Sequence, residues 1–375
     1  VTHSTHKLLA ALSQASMIHI RSGKVPVKPA LFNEAFMMHT STSPQYSIIA
    51  STDVSAKMMD DAGEYLTDES IGEAIAFRQA MVRLGNEVRK RKPQDWWFGV
   101  WQPDEVNGVP FADLDPQTLR QGDAWVLQPS ASWHGFGDLG RDYCMLDPIK
   151  VTVLTPGQTL EGQMEAGGIP APLVSSFLSS RGIVVEKTEP YSILLLFSLG
   201  VTKGKWGSLV AGLMEFKKHY DSNASLELVM PELVASHGER YAGMGLKDLA
   251  DAMHQDMLAS KLLHNMDAAF SLLPDVVSSP RATFAKLVKG QIEQIAVRDM
   301  LDRTVAVQVV PYPPGIPLMM PGEKAGADKQ AIIDYLLAME LFDSHFPGFE
   351  HDNHGVEIER DGQGGLTYRV YVVKQ

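Results

Sequence analysis

The sequence predicts a layered α/β protein, and three observations lead to that class. Lys150 to Leu154 reads Lys-Val-Thr-Val-Leu, a short branched strand pattern. A helix opened by Pro170 and closed at Gly182 follows it, and the runs Ile183–Glu186 and Ile193–Phe197 supply two more strands. Strand, helix and strand in close succession indicate helices laid on a sheet. The 375 residues, 45% hydrophobic and 21% charged, suit a globular chain of two or three domains better than a single core.

Taken in order, residues 1–60 form a first unit. It holds the apolar segment Met17-Ile18-His19-Ile20, a turn through Gly23 and Pro26, and the start of a helix after Pro44. The second unit, 61–223, opens with a helix for which Asp68 is the expected N-cap. Its apolar face is Ala74, Phe77, Met81, Leu84 and Val88, in steps of three and four, and Pro93 stops it. Residues 94–145, rich in Gly, Pro, Asp and Trp, read as loops and short strands, with the tryptophans as core filler. After the three strands, a helix carries Trp206, Leu209, Leu213 and Phe216. The third unit, 224–375, begins with a helical stripe of Leu246, Leu249, Met253 and Met257. It continues through the proline-rich turn Pro311–Pro317 to a final strand, Thr367–Val373.

The bulk properties exclude several classes. A net charge of −12 is unfavourable to nucleic acid and compatible with a cationic small substrate. Arg89-Lys90-Arg91-Lys92 reads as the cationic end of a helix, since no aromatic residues interleave it. The single cysteine, Cys144, excludes an internal disulfide and fits a reducing cytoplasm. No apolar run approaches a membrane span and no secretory leader is legible. His345, His351 and His354 lack a second ligand pair at metal spacing, so no metal is expected.

Chemistry concentrates at Ser4-Thr5-His6-Lys7. A lysine that attacks a carbonyl must be kept partly unprotonated. Here it stands among the hydroxyls of Ser4 and Thr5 and the imidazoles of His3 and His6, with Leu8-Leu9-Ala10-Ala11-Leu12 behind it. Polar donors on one side can grip a phosphate, while an apolar wall disfavours the ammonium.

The longer run from Ser4 to Ser16 resembles the cofactor-lysine segment of the bacterial Orn/Lys/Arg decarboxylases. Further matching runs are Phe36-Met37-Met38-His39-Thr40-Ser41-Thr42-Ser43-Pro44, Ser132-Trp133-His134-Gly135-Phe136 and Leu146-Asp147-Pro148-Ile149-Lys150. Pro311-Tyr312-Pro313-Pro314-Gly315-Ile316-Pro317 and Phe346-Pro347-Gly348-Phe349-Glu350 complete the set, so the resemblance spans the chain. It implies a pyridoxal 5′-phosphate (PLP) enzyme of fold type I, the aminotransferase-like class. Residues 1–60 would then be the end of the PLP-binding large domain. Residues 61–223 would be the small α/β domain, and 224–375 a C-terminal α+β domain. Groups that such enzymes place upstream of the lysine cannot be found before residue 7, so the chain is expected to be the C-terminal part of a longer protein.

The same resemblance assigns Lys7 to the covalent bond with PLP and Ser4 and His6 to its phosphate. Ser41 would reach the phosphate of a partner subunit across a homodimer, and full-length relatives assemble further into decamers. His134 and Asp147 are family-like but receive no role. Glu186, in Val184-Val185-Glu186-Lys187-Thr188, matches a glutamate that faces the distal ammonium of the substrate in lysine and ornithine members. Runs such as Gly204-Lys205-Trp206-Gly207 are closer to arginine decarboxylases. A carboxylate facing an ammonium contributes roughly 1.5–3 kcal/mol, one to two decades of discrimination. The expected reaction is therefore L-lysine to cadaverine and CO2. Arginine is the alternative substrate, ornithine a lesser one, and a non-catalytic regulatory homologue the remote alternative.

Overall fold

The computed structural model describes the chain apart from residues 130, 138, 142–143, 313 and 362–364. Pro313, inside the expected proline-rich turn, therefore lies outside the described residues. The central sheet has four antiparallel strands in the order Gly99–Val100, Lys150–Leu154, Ser192–Leu196, Lys187–Glu189. Val151 opposes Leu195 and Val153 opposes Ile193, and these four side chains share the buried face. Leu173, Val174 and Phe177 of the helix Ala171–Ser179 and Leu213 and Phe216 of the helix Lys203–Asp221 belong to the same core. Period-two burial against helical stripes yields the α/β layering that the sequence predicts.

The third strand is displaced from its expected place. Ile183–Glu186 is not a strand, and the ladder begins at Lys187. The cause is the preceding helix end. Gly182 turns with φ +75°, and the amide of Ile183 donates back to Leu178 O at 3.0 Å, so these residues close the helix before the chain extends.

Asp68 is likewise not an N-cap. One helix runs without a break from Tyr46 to Arg91, and Asp68 lies inside it, paired with Arg120. No proline interrupts this span, so a capping residue type alone does not start a new helix. The expected division at residues 60/61 falls within it. The predicted stripe is buried, with Ala74, Phe77 and Met81 at most 1% exposed, and Lys92 ends the helix before Pro93.

The tryptophans fill cores. Trp125 is 1% exposed at the centre of a small apolar cluster with Phe111, Leu119 and Leu146, and Trp101 meets Trp133 at 5.5 Å between rings. Trp96 covers Lys217, whose Nζ lies 4.4 Å from the ring centroid. That Nζ also donates to Asp95 Oδ1 at 2.7 Å and Asp221 Oδ2 at 2.8 Å. The hydrogen bond from Lys217 holds the Asp95 carboxyl below its ordinary range. A depressed acid stabilises the fold above its unfolded value and loses that contribution as pH falls. The unfolding midpoint of Lys217→Met should therefore lie below wild type at pH 7, with the gap closing below about pH 4. A gap that stays constant down to the acid limit would show the pair to be electrostatically idle.

In the C-terminal region, helices Leu246–Ala259, Leu262–Phe270 and Gln330–His345 pack beside a three-stranded antiparallel sheet. The last strand, Leu366–Val373, is its middle member, with Leu366, Tyr368, Val370 and Val372 buried. No described helix is long and apolar enough to cross a membrane.

Candidate functional site

Lys7 stands on a single helical turn, Thr5–Leu8, between two very short strands paired Thr2 to Ile18 and His3 to Met17. The turn is tied at both ends: Lys7 N donates to Ser4 O at 3.1 Å, and His6 Nδ1 donates to Ala15 O at 2.9 Å. A carbonyl can only accept, which fixes the hydrogen on Nδ1 and leaves Nε2 for another partner. The Ser4 hydroxyl makes no capping bond. Ser4 and Lys7 are both exposed. Thr5 is buried, and its Oγ1 has no hydrogen-bond partner among the described residues. Behind the turn, Leu8 and Leu9 line a cavity of about 330 Å³ with Met59, Ile71, Trp125 and Pro148. Lys7 itself is not among the residues lining that cavity, and Leu8 and Leu12 expose 45% and 53% of their surface, so the apolar run lies beside the amine without enclosing it.

The chemistry of this donor set fits the phosphate and aldehyde of PLP. An exposed hydroxyl, an imidazole nitrogen left over from its structural bond, an orphaned threonine hydroxyl and a primary amine are grouped within four residues. Such groups can hold a phosphate and condense with a carbonyl.

Ser41 and Glu186 are not joined to this turn by any hydrogen bond among the described residues. Ser41 is exposed, and its Oγ accepts from Ser43 N at 3.1 Å, within its own turn. Glu186 is exposed at the bend before the strand Lys187–Glu189, and its amide donates to Leu194 O at 3.0 Å. Lys187 pairs with Glu189 and not with Glu186, so the neighbouring cation leaves the Glu186 carboxylate unclaimed.

The residues without a sequence-based role acquire one. His134, 3% exposed, donates from Nε2 to Gln128 O at 2.8 Å and accepts at Nδ1 from Phe136 N at 3.0 Å. Both nitrogens are spent on fixing one turn, and a Cβ at Gly135 would lie 2.6 Å from Leu160 O. Asp147 accepts from Ile149 N at 3.2 Å and lines the cavity behind Lys7.

Arg78 went unread. It is fully buried and donates to Pro148 O at 3.2 Å, Trp101 O at 3.1 Å and Lys150 O at 2.9 Å, with its guanidinium 5.1 Å from the Trp125 ring. Burial pushes its pKa down to about 9, and Asp147 partly opposes the shift. Its position four residues after Ala74, on the apolar stripe, was the available signal. The C-terminal histidines go to separate carboxylates: His345 Nδ1 to Asp256 Oδ1 and His351 Nδ1 to Asp343 Oδ1, each at 2.5 Å.

Comparison with known proteins connects these features. The family model described as "Orn/Lys/Arg decarboxylase, major domain" matches residues 1–205, and "Orn/Lys/Arg decarboxylase, C-terminal domain" matches residues 263–374. The chain is 48% identical over 376 residues to lysine decarboxylase LdcA of Pseudomonas aeruginosa, covering 100% of the chain and 48% of the relative. It is 44% identical over 365 residues to the biodegradative arginine decarboxylase of Escherichia coli, covering 95% of the chain and 48% of the relative. Among solved structures, lysine decarboxylase A from Pseudomonas aeruginosa superposes with a TM-score of 0.89 at 48% identity, and the constitutive lysine decarboxylase of Escherichia coli with 0.87 at 41%. Both superpositions cover 100% of this chain, and 48% and 49% of the respective structures. The chain thus spans about half the length of the relatives it matches. With a major-domain match over more than half of its residues, the chain belongs to the Orn/Lys/Arg decarboxylase family.

Proposed function

We propose that the protein decarboxylates L-lysine to cadaverine and CO2 with PLP, a proton replacing the departing carboxylate. The observation that carries this reading is the exposed Lys7 amine grouped with the Ser4 hydroxyl and the His6 ring, and an exposed Glu186 carboxylate that Lys187 does not neutralise supports lysine as the substrate. When bound, PLP supplies the aldehyde and the electron sink for the reaction. Ser4 Oγ and, when its ring carries both hydrogens, His6 Nε2 would donate to its phosphate, with Thr5 Oγ1 as a second hydroxyl that has no hydrogen-bond partner among the described residues. Lys7 Nζ would hold the cofactor covalently, and Leu8 and Leu9 would shield the inner side of the turn from water. Glu186 would orient the substrate by accepting from its distal ammonium.

The reading includes a cytoplasmic homodimer with a shared active site, and a decamer of the full-length protein. Ser41 would serve a partner's phosphate, a role supported by its exposure and by an Oγ whose hydrogen bonds, among the described residues, stay within its own turn. Leu31, Met38 and Tyr46 expose 66%, 79% and 78% of their surface, which supports a covered face on this part of the chain.

Arginine is the second reading. The Escherichia coli arginine decarboxylase is as similar overall as several lysine decarboxylases. Side-by-side assays of lysine, arginine and ornithine in the full-length protein distinguish them. Glu186→Gln should cost lysine turnover about ten- to a hundredfold in kcat/KM, mainly through KM. A preference for arginine that persists in Glu186→Gln would overturn the lysine assignment.

A further inference from the structure

Between the helix Ala171–Ser179, the strand Lys187–Glu189 and the turn Gly348–His351 lies a second cavity, of about 280 Å³, which shares no lining residue with the one behind Lys7. His351 forms part of its wall, with its side chain 10% exposed. Its Nδ1 lies 2.5 Å from Oδ1 of Asp343, which is completely buried. Asp343 also receives the His351 amide, at 3.1 Å to each oxygen, and the hydroxyl of Tyr368. Tyr368 in turn accepts from Asn353 Nδ2 at 3.0 Å. A carboxylate offers only acceptors, so Nδ1 carries a ring hydrogen, and the neutral form of the ring offers a lone pair at Nε2. Among the described residues nothing bonds that nitrogen.

The surrounding groups select a ligand class. Ser175 Oγ and Thr188 Oγ1, 2.7 Å apart, offer hydroxyl oxygens, and Glu350 adds a carboxylate. Pro172, Pro190, Met257 and Phe349 give apolar walls that suit methylene groups. Charge is unbalanced behind the wall: among the described residues Asp343 and Glu340 pair with no lysine or arginine, whereas Glu350 pairs with Arg360 at 2.5 Å and accepts from Gly348 N at 2.9 Å, and Lys187 is matched by Glu189. An anion would meet a lone pair and an excess of negative charge, whereas a neutral polyol would gain no Coulombic attraction. The volume is below that of drug-sized sites and suits a small ligand.

We infer that this cavity binds a short alkylammonium ion, with His351 Nε2 accepting from the ammonium and the apolar walls enclosing the chain. Its natural occupant is the diamine released by decarboxylation, an identification that rests on the function proposed above. The protein would then hold its product at a site distinct from the one around Lys7.

Isothermal titration of the chain with 1,5-diaminopentane tests this, with 1,5-pentanediol as the uncharged control. The titrations are run in the Glu186→Gln background, so that the proposed substrate contact does not contribute. Saturable binding of the diamine and not the diol is expected. His351→Phe should weaken binding at least about tenfold. Because that variant disturbs the Asp343 network, Ser175→Val provides a second probe that leaves the network intact, with several-fold weakening expected. Nitrogen NMR of the His351 ring should shift at Nε2 on titration. Absence of saturable binding, equal affinity in both variants, or equal affinity for the diol would overturn the inference. Lysine turnover without diamine binding at this cavity refutes only the second site. Diamine binding here without turnover refutes only the proposed function.

Discussion

Lys7→Ala should abolish lysine turnover in the full-length protein, a loss of at least about 10³-fold, because covalent tethering and positioning disappear together. The fold should be untouched. Lys7 is exposed on its one-turn helix, and alanine is a better helix former than lysine. Equal unfolding midpoints for variant and wild type would locate the loss in chemistry. Borohydride reduction of the PLP-loaded wild type, followed by peptide mapping, should place the label on the peptide containing Lys7 and on none in the variant. Turnover within tenfold of wild type would remove Lys7 from the reaction.

Arg78→Met should destabilise the protein by about 3–5 kcal/mol, the cost of breaking a buried polar network by removing one partner. The guanidinium ties the helix Tyr46–Arg91 to the backbone at Trp101, Pro148 and Lys150, and no water reaches it. Methionine has similar length and no donors, so three carbonyls would lose their partner at about 1–3 kcal/mol for each one left unsatisfied. Burial lowers the arginine pKa to about 9, so the group remains charged at neutral pH, where chemical denaturation should be measured. A change below about 1 kcal/mol would mean that the loops hold their places without it.

What the sequence made legible was whatever repeats or stays local. The stripe Ala74, Phe77, Met81 is periodic, and the alternation in Lys150–Leu154 and Leu366–Val373 is equally direct. The donors around Lys7 are contiguous, so the turn that groups them could be read as a unit. Contacts made at a distance were not legible. Arg78 meets acceptors up to 72 residues away, and nothing in a charged residue on an apolar stripe names them. His134 serves its own turn, which depends on where Gln128 and Phe136 fold back. Element ends failed for a related reason. Ile183 was claimed by the helix before it and Asp68 by the helix around it, because neighbouring structure overrides residue preference at boundaries.

The helix Tyr46–Arg91 is about 70 Å long at the usual rise per residue. Before Ser70 only Ser55 and Gly63 are buried along it, whereas Ala74 to Met81 lie deep inside. Its anchorage is therefore one-sided. Amide protons along it should exchange in a graded order, fastest near Tyr46 and slowest near Phe77, as the unsupported end opens without disturbing the anchored one. That end sits in the same stretch as the lysine turn, where Ser51 Oγ accepts from Leu12 N at 3.1 Å. Whatever clamps the outer turns of this rod would also steady the segment that carries Lys7.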